Sequence, residues 1–180
     1  MPGLEICSKE EVHILALFDQ LEKALAMQGY VYQHLPGENK PEVFGYQIVA
    51  DEYDEVLGEN SRLLIGATQS GLQEIVDQTH LLGGISLTSH VDRTAYSIIG
   101  QLGFIPSDLN IDGVEVSKRI ELKKARETVP GIGAFPCVTS SDAHFLEDIG
   151  KVWTVFLMAE PTFGEIRRAL SCEDGRRIVV

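Results

Sequence analysis

Short apolar segments that favour β-strands alternate with segments of helical periodicity along most of this chain. The clearest strand segments are "ISLTSH" at 85–90, "GVEVSK" at 113–118 and "FPCVTSS" at 135–141. Strands that alternate with helices through short connections predict an α/β fold built on a parallel sheet or barrel. In such folds the functional side chains collect at the carboxyl ends of the strands.

One long stretch interrupts this alternation. Residues 19–30 have helical spacing with Gly29 at the predicted end, and the residues that follow, up to position 69, are polar and aperiodic. We therefore predict a single domain over 1–180 with an insertion or lid at 19–69, between the second and third strands of the chain. Two strand segments, "GLEICS" and "EEVHILALF", follow one another at the very start, which indicates a domain that is incomplete at its N-terminal end.

The composition bears on several classes of function. The 180 residues carry a formal net charge of −12 and no basic stripe, so we do not expect nucleic acid as a partner. The three cysteines are odd in number and widely spaced, which is typical of reduced thiols. No segment has the pattern of a signal peptide or the length of a membrane span, so we expect a cytoplasmic protein without a membrane partner.

Residues with metal-binding side chains lie in, or directly after, four of the predicted strands. Glu5 and His13 lie in the first two, His90 ends "ISLTSH", and Asp142 and His144 follow "FPCVTSS". Each has an ordinary structural interpretation when taken alone, as a core or surface histidine or as a polar turn. Because parallel strands bring their carboxyl ends together, the set favours one shared site. Imidazoles mixed with carboxylates are typical ligands of Zn, Mn and Fe.

Five segments together resemble the PHP (polymerase and histidinol phosphatase) family: "PGLEI", "EEVHIL", "SHVDRTAYSIIGQLGFIP", "VEVSK" and "SSDAHFLEDIG". The resemblance extends over nearly all the chain and is most specific at 84–150. It implies a distorted (βα)7 barrel with two or three divalent ions (Zn, Mn or Fe, with Mg as a further option) at the strand ends. Matched motif by motif, it implies these metal ligands: Glu5, His13, His90, Asp142 and His144.

The resemblance also implies a phosphoesterase. Members of the family hydrolyse phosphate esters through a metal-bound hydroxide, so the expected substrate is a small phosphorylated metabolite or a nucleotide. Arg93 is the first candidate for phosphate binding, since a planar guanidinium suits two contacts with an oxyanion. Lys118 is the second. For both residues, a salt bridge with a surface carboxylate is the alternative interpretation.

The chain departs from the family pattern at its start. The HxH strand that opens the family's domain, and a later strand that ends in Asp-His, are absent from the sequence. We therefore interpret the chain as the C-terminal two-thirds of a PHP-like domain, a partial (βα)7 barrel that is impaired in metal binding and hydrolysis on its own. Its uncovered edges would call for a missing N-terminal segment or a homo-oligomer.

Two other classes of function stay open. An inactive PHP-like module that binds a partner would explain the missing ligands. An amidohydrolase-like metalloenzyme would use similar ligands and is less favoured, because no lysine lies inside the predicted strands and Lys118 only follows "VEVS".

Overall fold

The computed structural model describes residues 1–179 and has a mixed α/β fold. The strands are β1 (Gly3–Cys7), β2 (His13–Leu17), β3 (Ile48–Ala50), β4 (Val56–Glu59), β5 (Ile85–Thr88), β6 (Gly113–Val116), β7 (Cys137–Thr139), β8 (Val155–Leu157) and β9 (Arg177–Val179). The helices are α1 (Leu21–His34), α2 (Pro41–Phe44), α3 (Leu72–Leu81), α4 (Ile98–Leu102), α5 (Leu122–Thr128) and α6 (Phe163–Leu170). None of the helices within 1–179 has the length and apolar character needed to cross a membrane.

The central element is a five-stranded sheet in the order β1-β2-β5-β6-β7. Its β1–β2 and β2–β5 pairs are antiparallel, whereas β5–β6 and β6–β7 are parallel. The α/β class is confirmed, but the prediction of a parallel sheet is wrong for the first two strands. They are joined through residues 8–12 alone, which is too short for the crossover that a parallel pair requires. Within 1–179 the sheet is open, with β1 and β7 at its edges, and the partial barrel is not confirmed.

The two faces of the sheet have different partners. Alternation along β2 directs Ile14 and Ala16 into the main core, together with buried residues of α1 and α3. Leu15 and Leu17 lie on the opposite face, against a smaller cluster that includes Leu170 of α6. His13 shares this second face by alternation. The residues at the end of the second face form the candidate site.

The segment 19–69 contains two separate structures. Helix α1 extends through Gly29 to His34, four residues beyond the predicted end at 30, because Tyr30 and Val31 still pack against the main core. Strands β3 and β4 pair only with each other among the described strands, and every residue in them is exposed. That this segment is an insertion or a lid stays a prediction.

The C-terminal region forms a small unit on the second face. Strands β8 and β9 pair with each other and lie outside the central sheet. Helix α6 begins directly after Thr162, whose hydroxyl accepts a hydrogen bond from the Glu165 amide at 3.4 Å. The Glu165 carboxylate contacts Arg176, at 2.9 Å, and accepts from the Ala159 amide at 2.8 Å. These contacts tie α6 to the segments on either side of it.

Candidate metal centre

Three of the predicted ligands converge at one end of the second sheet face. Glu5 of β1 pairs in register with Leu15, so its side chain lies on the same face as that of His13. His90 follows β5 and reaches the same point. One potential ligand atom from each of the three side chains lies within 4.8 Å of those of the other two. The Glu5 carboxylate is 3.4 Å from His13 Nδ1 and 3.7 Å from His90 Nε2.

One nitrogen of each imidazole in this cluster makes no hydrogen bond with the described part of the protein. His13 Nδ1 and His90 Nδ1 are buried and have no hydrogen-bond partner within the described chain. The His90 side chain is 4% exposed, so water cannot easily compensate for an unpaired nitrogen, which ordinarily costs about 1–3 kcal/mol. Buried imidazole nitrogens without partners, beside a carboxylate, fit the donor set of a divalent transition metal.

The electrostatics of the cluster keep Glu5 charged and His90 neutral. Its contact with His13 lowers the pKa of Glu5. Burial alone would lower the pKa of His13, but its contacts with Cys7 and Glu5 outweigh burial and raise that pKa to about 9. Burial, and then the charge of Arg93, lower the pKa of His90. A neutral imidazole is the form that binds a metal.

Asp142 lies beside the cluster but faces Arg93. The Arg93 guanidinium is 2.7 Å from Asp142 Oδ2. This contact is an ion pair without the alignment of a hydrogen bond, because Asp142 Oδ2 has no hydrogen-bond partner within residues 1–179. Arg93 Nε, on the same guanidinium, has none there either. His90 and Asp142 have the backbone angles φ 31° and 43°, which are sparsely populated for non-glycine residues and concentrate at functional sites. Arg93, which the sequence suggested for phosphate binding, therefore forms an ion pair with Asp142, which the sequence suggested as a metal ligand.

The other two predicted site residues lie outside the cluster. The His144 side chain is 72% exposed, and its Nδ1 is 3.8 Å from the nearer carboxylate oxygen of Asp142. Lys118 contacts Asp148 at 3.6 Å, and Asp148 is also bound by Lys151 at 3.0 Å. The salt-bridge interpretation therefore describes Lys118 in this structure.

Sequence reasoning missed Glu115, the acidic residue in the middle of β6. It is 5% exposed, and its carboxylate accepts hydrogen bonds from the His90 amide at 3.2 Å and from the Ser140 hydroxyl. Burial raises the pKa of Glu115. A glutamate within an otherwise buried apolar strand, "GVEV", is the signal that could have identified it, because an acidic side chain is almost never fully buried without a partner.

Tyr96 was also missed. Its ring stacks on His13 with the centroids 4.7 Å apart and the planes at 18°, and its carbonyl accepts a hydrogen bond from the His13 amide at 2.9 Å. The residue is 47% exposed. The loop 90–97 therefore covers one side of the cluster with an aromatic ring that also faces solvent.

Comparisons with known proteins support the resemblance seen in the motifs. A family model described as PHP-associated matches residues 134–174. No curated protein matches the chain. One similar solved structure is the novel lesion-specific endonuclease PfuEndoQ from Pyrococcus furiosus, with 19% identity, a TM-score of 0.65, and coverage of 99% of this chain and 40% of that chain. Another is endonuclease Q in complex with a 27-mer duplex substrate with an abasic lesion at the active site, with 18% identity, a TM-score of 0.60, and coverage of 97% and 40%.

The PHP-associated match confirms the resemblance to the PHP family. At such identities the likeness to the two structures concerns the fold. The chain spans 40% of the length of each.

The comparisons also correct the expected partner. The prediction of a small phosphorylated substrate, with nucleic acid not expected, is wrong, because a protein with this fold holds a DNA duplex. The prediction relied on the net charge of −12. Net charge describes the whole surface, whereas bound cations and local arginines determine the potential at a phosphate site.

Proposed function

We propose that this chain forms the metal-binding part of a PHP-type hydrolase that cleaves a phosphodiester in a DNA strand. The observation that carries the proposal is the convergence of Glu5, His13 and His90 within 4.8 Å, with two buried imidazole nitrogens that have no protein partner. The PHP-associated match and the likeness to endonuclease Q support the same class of enzyme.

In this proposal the three clustered residues hold a divalent cation. Such an ion supplies positive charge beside the phosphoryl oxygens and lowers the pKa of water toward neutral pH. Glu5 contributes an anionic oxygen and His90 a neutral nitrogen. His13 contributes its nitrogen once the cation has displaced the proton that the raised pKa of His13 retains near neutral pH. Glu115 and Ser140 orient His90, because the Glu115 carboxylate is bonded to both the His90 amide and the Ser140 hydroxyl.

Arg93 and Asp142 act together in the proposed function. A phosphate has the geometry to replace the Asp142 carboxylate as the partner of the terminal nitrogen of the Arg93 guanidinium. Asp142 is then released toward the cluster, where its charge already acts on the pKa of His90. We propose that Asp142, once released, would help the cluster to hold the cation, and that His144, two residues further along, would be the next residue able to do so.

The choice of DNA as substrate rests on the endonuclease Q comparison. The alternative, an inactive module, is less favoured because such a module has no reason to retain buried nitrogens without partners. Each of them costs stability without a function to maintain it.

The proposed function is tested by strand scission. The protein is incubated with Mn²⁺ and an end-labelled duplex that carries one abasic site, and in parallel with the intact duplex. We expect slow scission that EDTA abolishes and that Asp142→Asn reduces by at least about tenfold, the lower end of what a misplaced ligand costs. His80→Asn is the matched control, since His80 is bound to Asp112, at 2.8 Å, and belongs to helix α3. Scission that survives EDTA, or no scission at any metal concentration, would contradict the proposal.

A further inference from the structure

A cavity of about 540 Å³ is lined in part by residues 91–94, which belong to the same loop as His90 and Tyr96 at the metal cluster. Its polar lining includes two arginines, Arg93 and Arg119, and the side chains of Thr94 and Thr128. Its apolar lining includes Ile99 and Ile120. A volume of this size suits a small organic ligand, and mixed linings of this kind are typical of ligand sites.

Arg93 connects the cavity with the metal cluster. Its guanidinium contacts Asp142 at 2.7 Å on the side of the cluster, while its Nε is buried and has no acceptor within the described chain. Arginine is charged at every accessible pH, so an unpaired buried donor on it favours an anionic ligand. The free donor belongs to a residue that also lines the cavity.

Arg119 is held in place by a turn that is anchored to the same loop. Both carboxylate oxygens of Asp92 accept hydrogen bonds from Ser117, from its amide at 2.7 Å and from its hydroxyl at 2.6 Å. The Ser117 hydroxyl in turn accepts from the Arg119 amide at 3.2 Å. Arg119 itself takes part in no ion pair within residues 1–179, whereas Arg93, Arg168 and Arg176 all do. A backbone fixed in this way presents a free cation to the cavity without a large ordering cost on binding.

We propose that this cavity binds one nucleotide unit of the DNA strand, next to the phosphodiester that lies at the metal cluster. The phosphate of that unit contacts Arg119 and Arg93 Nε, and its sugar or base packs against Ile99 and Ile120. Charge-assisted bonds from guanidinium groups suit phosphate, and the apolar wall suits the faces of a nucleobase. The inference rests on the proposed function. It adds to that function a nucleotide-binding subsite in the cavity, which is not needed for metal binding at the cluster.

The test measures binding in the absence of metal. Fluorescence anisotropy of a labelled oligonucleotide with one abasic site is recorded in EDTA for wild type, Arg119→Ala and Lys123→Ala. Lys123 is exposed on α5 and does not line the cavity, so its variant makes the same charge change elsewhere. We expect Arg119→Ala to weaken binding about tenfold and to reduce the slope of log affinity against log salt by about one. Lys123→Ala should change the affinity less than about twofold.

A second variant tests whether the volume of the cavity, rather than the charge of its arginines, is needed for binding. Thr128 is exposed at the edge of the cavity, so Thr128→Trp fills the cavity while both arginines remain, and it should weaken binding as much as Arg119→Ala. Equal affinities for wild type and Arg119→Ala, including no binding by either, overturn the inference. Binding of deoxyadenosine monophosphate as tight as that of the strand, with the same loss in Arg119→Ala, would identify a mononucleotide site and overturn the assignment to a strand. Because metal is absent, these results are independent of the scission assay that tests the proposed function.

Discussion

Replacement of His90 by asparagine should remove most of the stabilisation of the fold by divalent metal. The His90 side chain is 4% exposed and supplies one of three converging ligand groups. Asparagine tolerates the positive φ of 31° at this position. The hydrogen bond that the backbone amide of residue 90 donates to the Glu115 carboxylate survives the replacement. The variant therefore removes a ligand and leaves the local backbone supported.

The size of the effect follows from mass action. Free metal at 100 times its dissociation constant stabilises the folded state by about 2.7 kcal/mol. In a domain of this length, that raises the melting temperature by about 5–11 °C. If His90→Asn weakens metal binding about 100-fold, the same metal concentration contributes only about 0.4 kcal/mol. The shift then falls to roughly 1–2 °C.

The assay is thermal unfolding, followed by circular dichroism, in EDTA and in Zn²⁺ or Mn²⁺ at about 100 times the wild-type dissociation constant. His80→Asn is the control, because His80 lies on α3 and is bound to Asp112 rather than to the cluster. Its metal-dependent shift should equal that of wild type. A full shift in His90→Asn, or an equal loss in both variants, would refute the assignment of His90 as a ligand.

Three further outcomes are expected. Glu115→Ala should lower metal affinity about 10- to 100-fold by calorimetry, because the carboxylate that accepts from the His90 amide is lost; unchanged affinity would remove Glu115 from the site. The contact with Arg176 lowers the pKa of Glu165 from 4.5 to about 2, so the stability that Glu165 contributes is present above pH 4.5 and is lost as pH falls through 2. The difference in urea midpoint between wild type and Glu165→Gln should therefore shrink from pH 5 to pH 2, and a constant difference would contradict this. Gly84→Ala should destabilise the fold by about 1–3 kcal/mol in urea unfolding, since an added Cβ would lie 2.9 Å from the Leu17 carbonyl oxygen; wild-type stability would show that the strand can move aside.

Local sequence patterns identified much of the fold. The β5, β6 and β7 segments read as strands because short apolar runs end in polar residues, and α6 begins where Thr162 can cap its first turn. The predicted strand segments contained Glu5 and His13 and ended at His90, and the structure brings these three side chains together. These inferences succeeded because strand length, capping and side-chain alternation depend on neighbours within a few residues.

Only the tertiary structure decided the rest. The direction of β1 and β2 depends on pairing across the sheet, and the periodicity of a strand is the same in either direction. The role of Glu115 follows from its contact with His90, 25 residues away in the chain, and the pairing of Arg93 with Asp142 joins residues that no local pattern links. The failed prediction about nucleic acid has the same origin, since net charge is a sum over the sequence. The potential that a phosphate meets depends on which charges the fold places beside it.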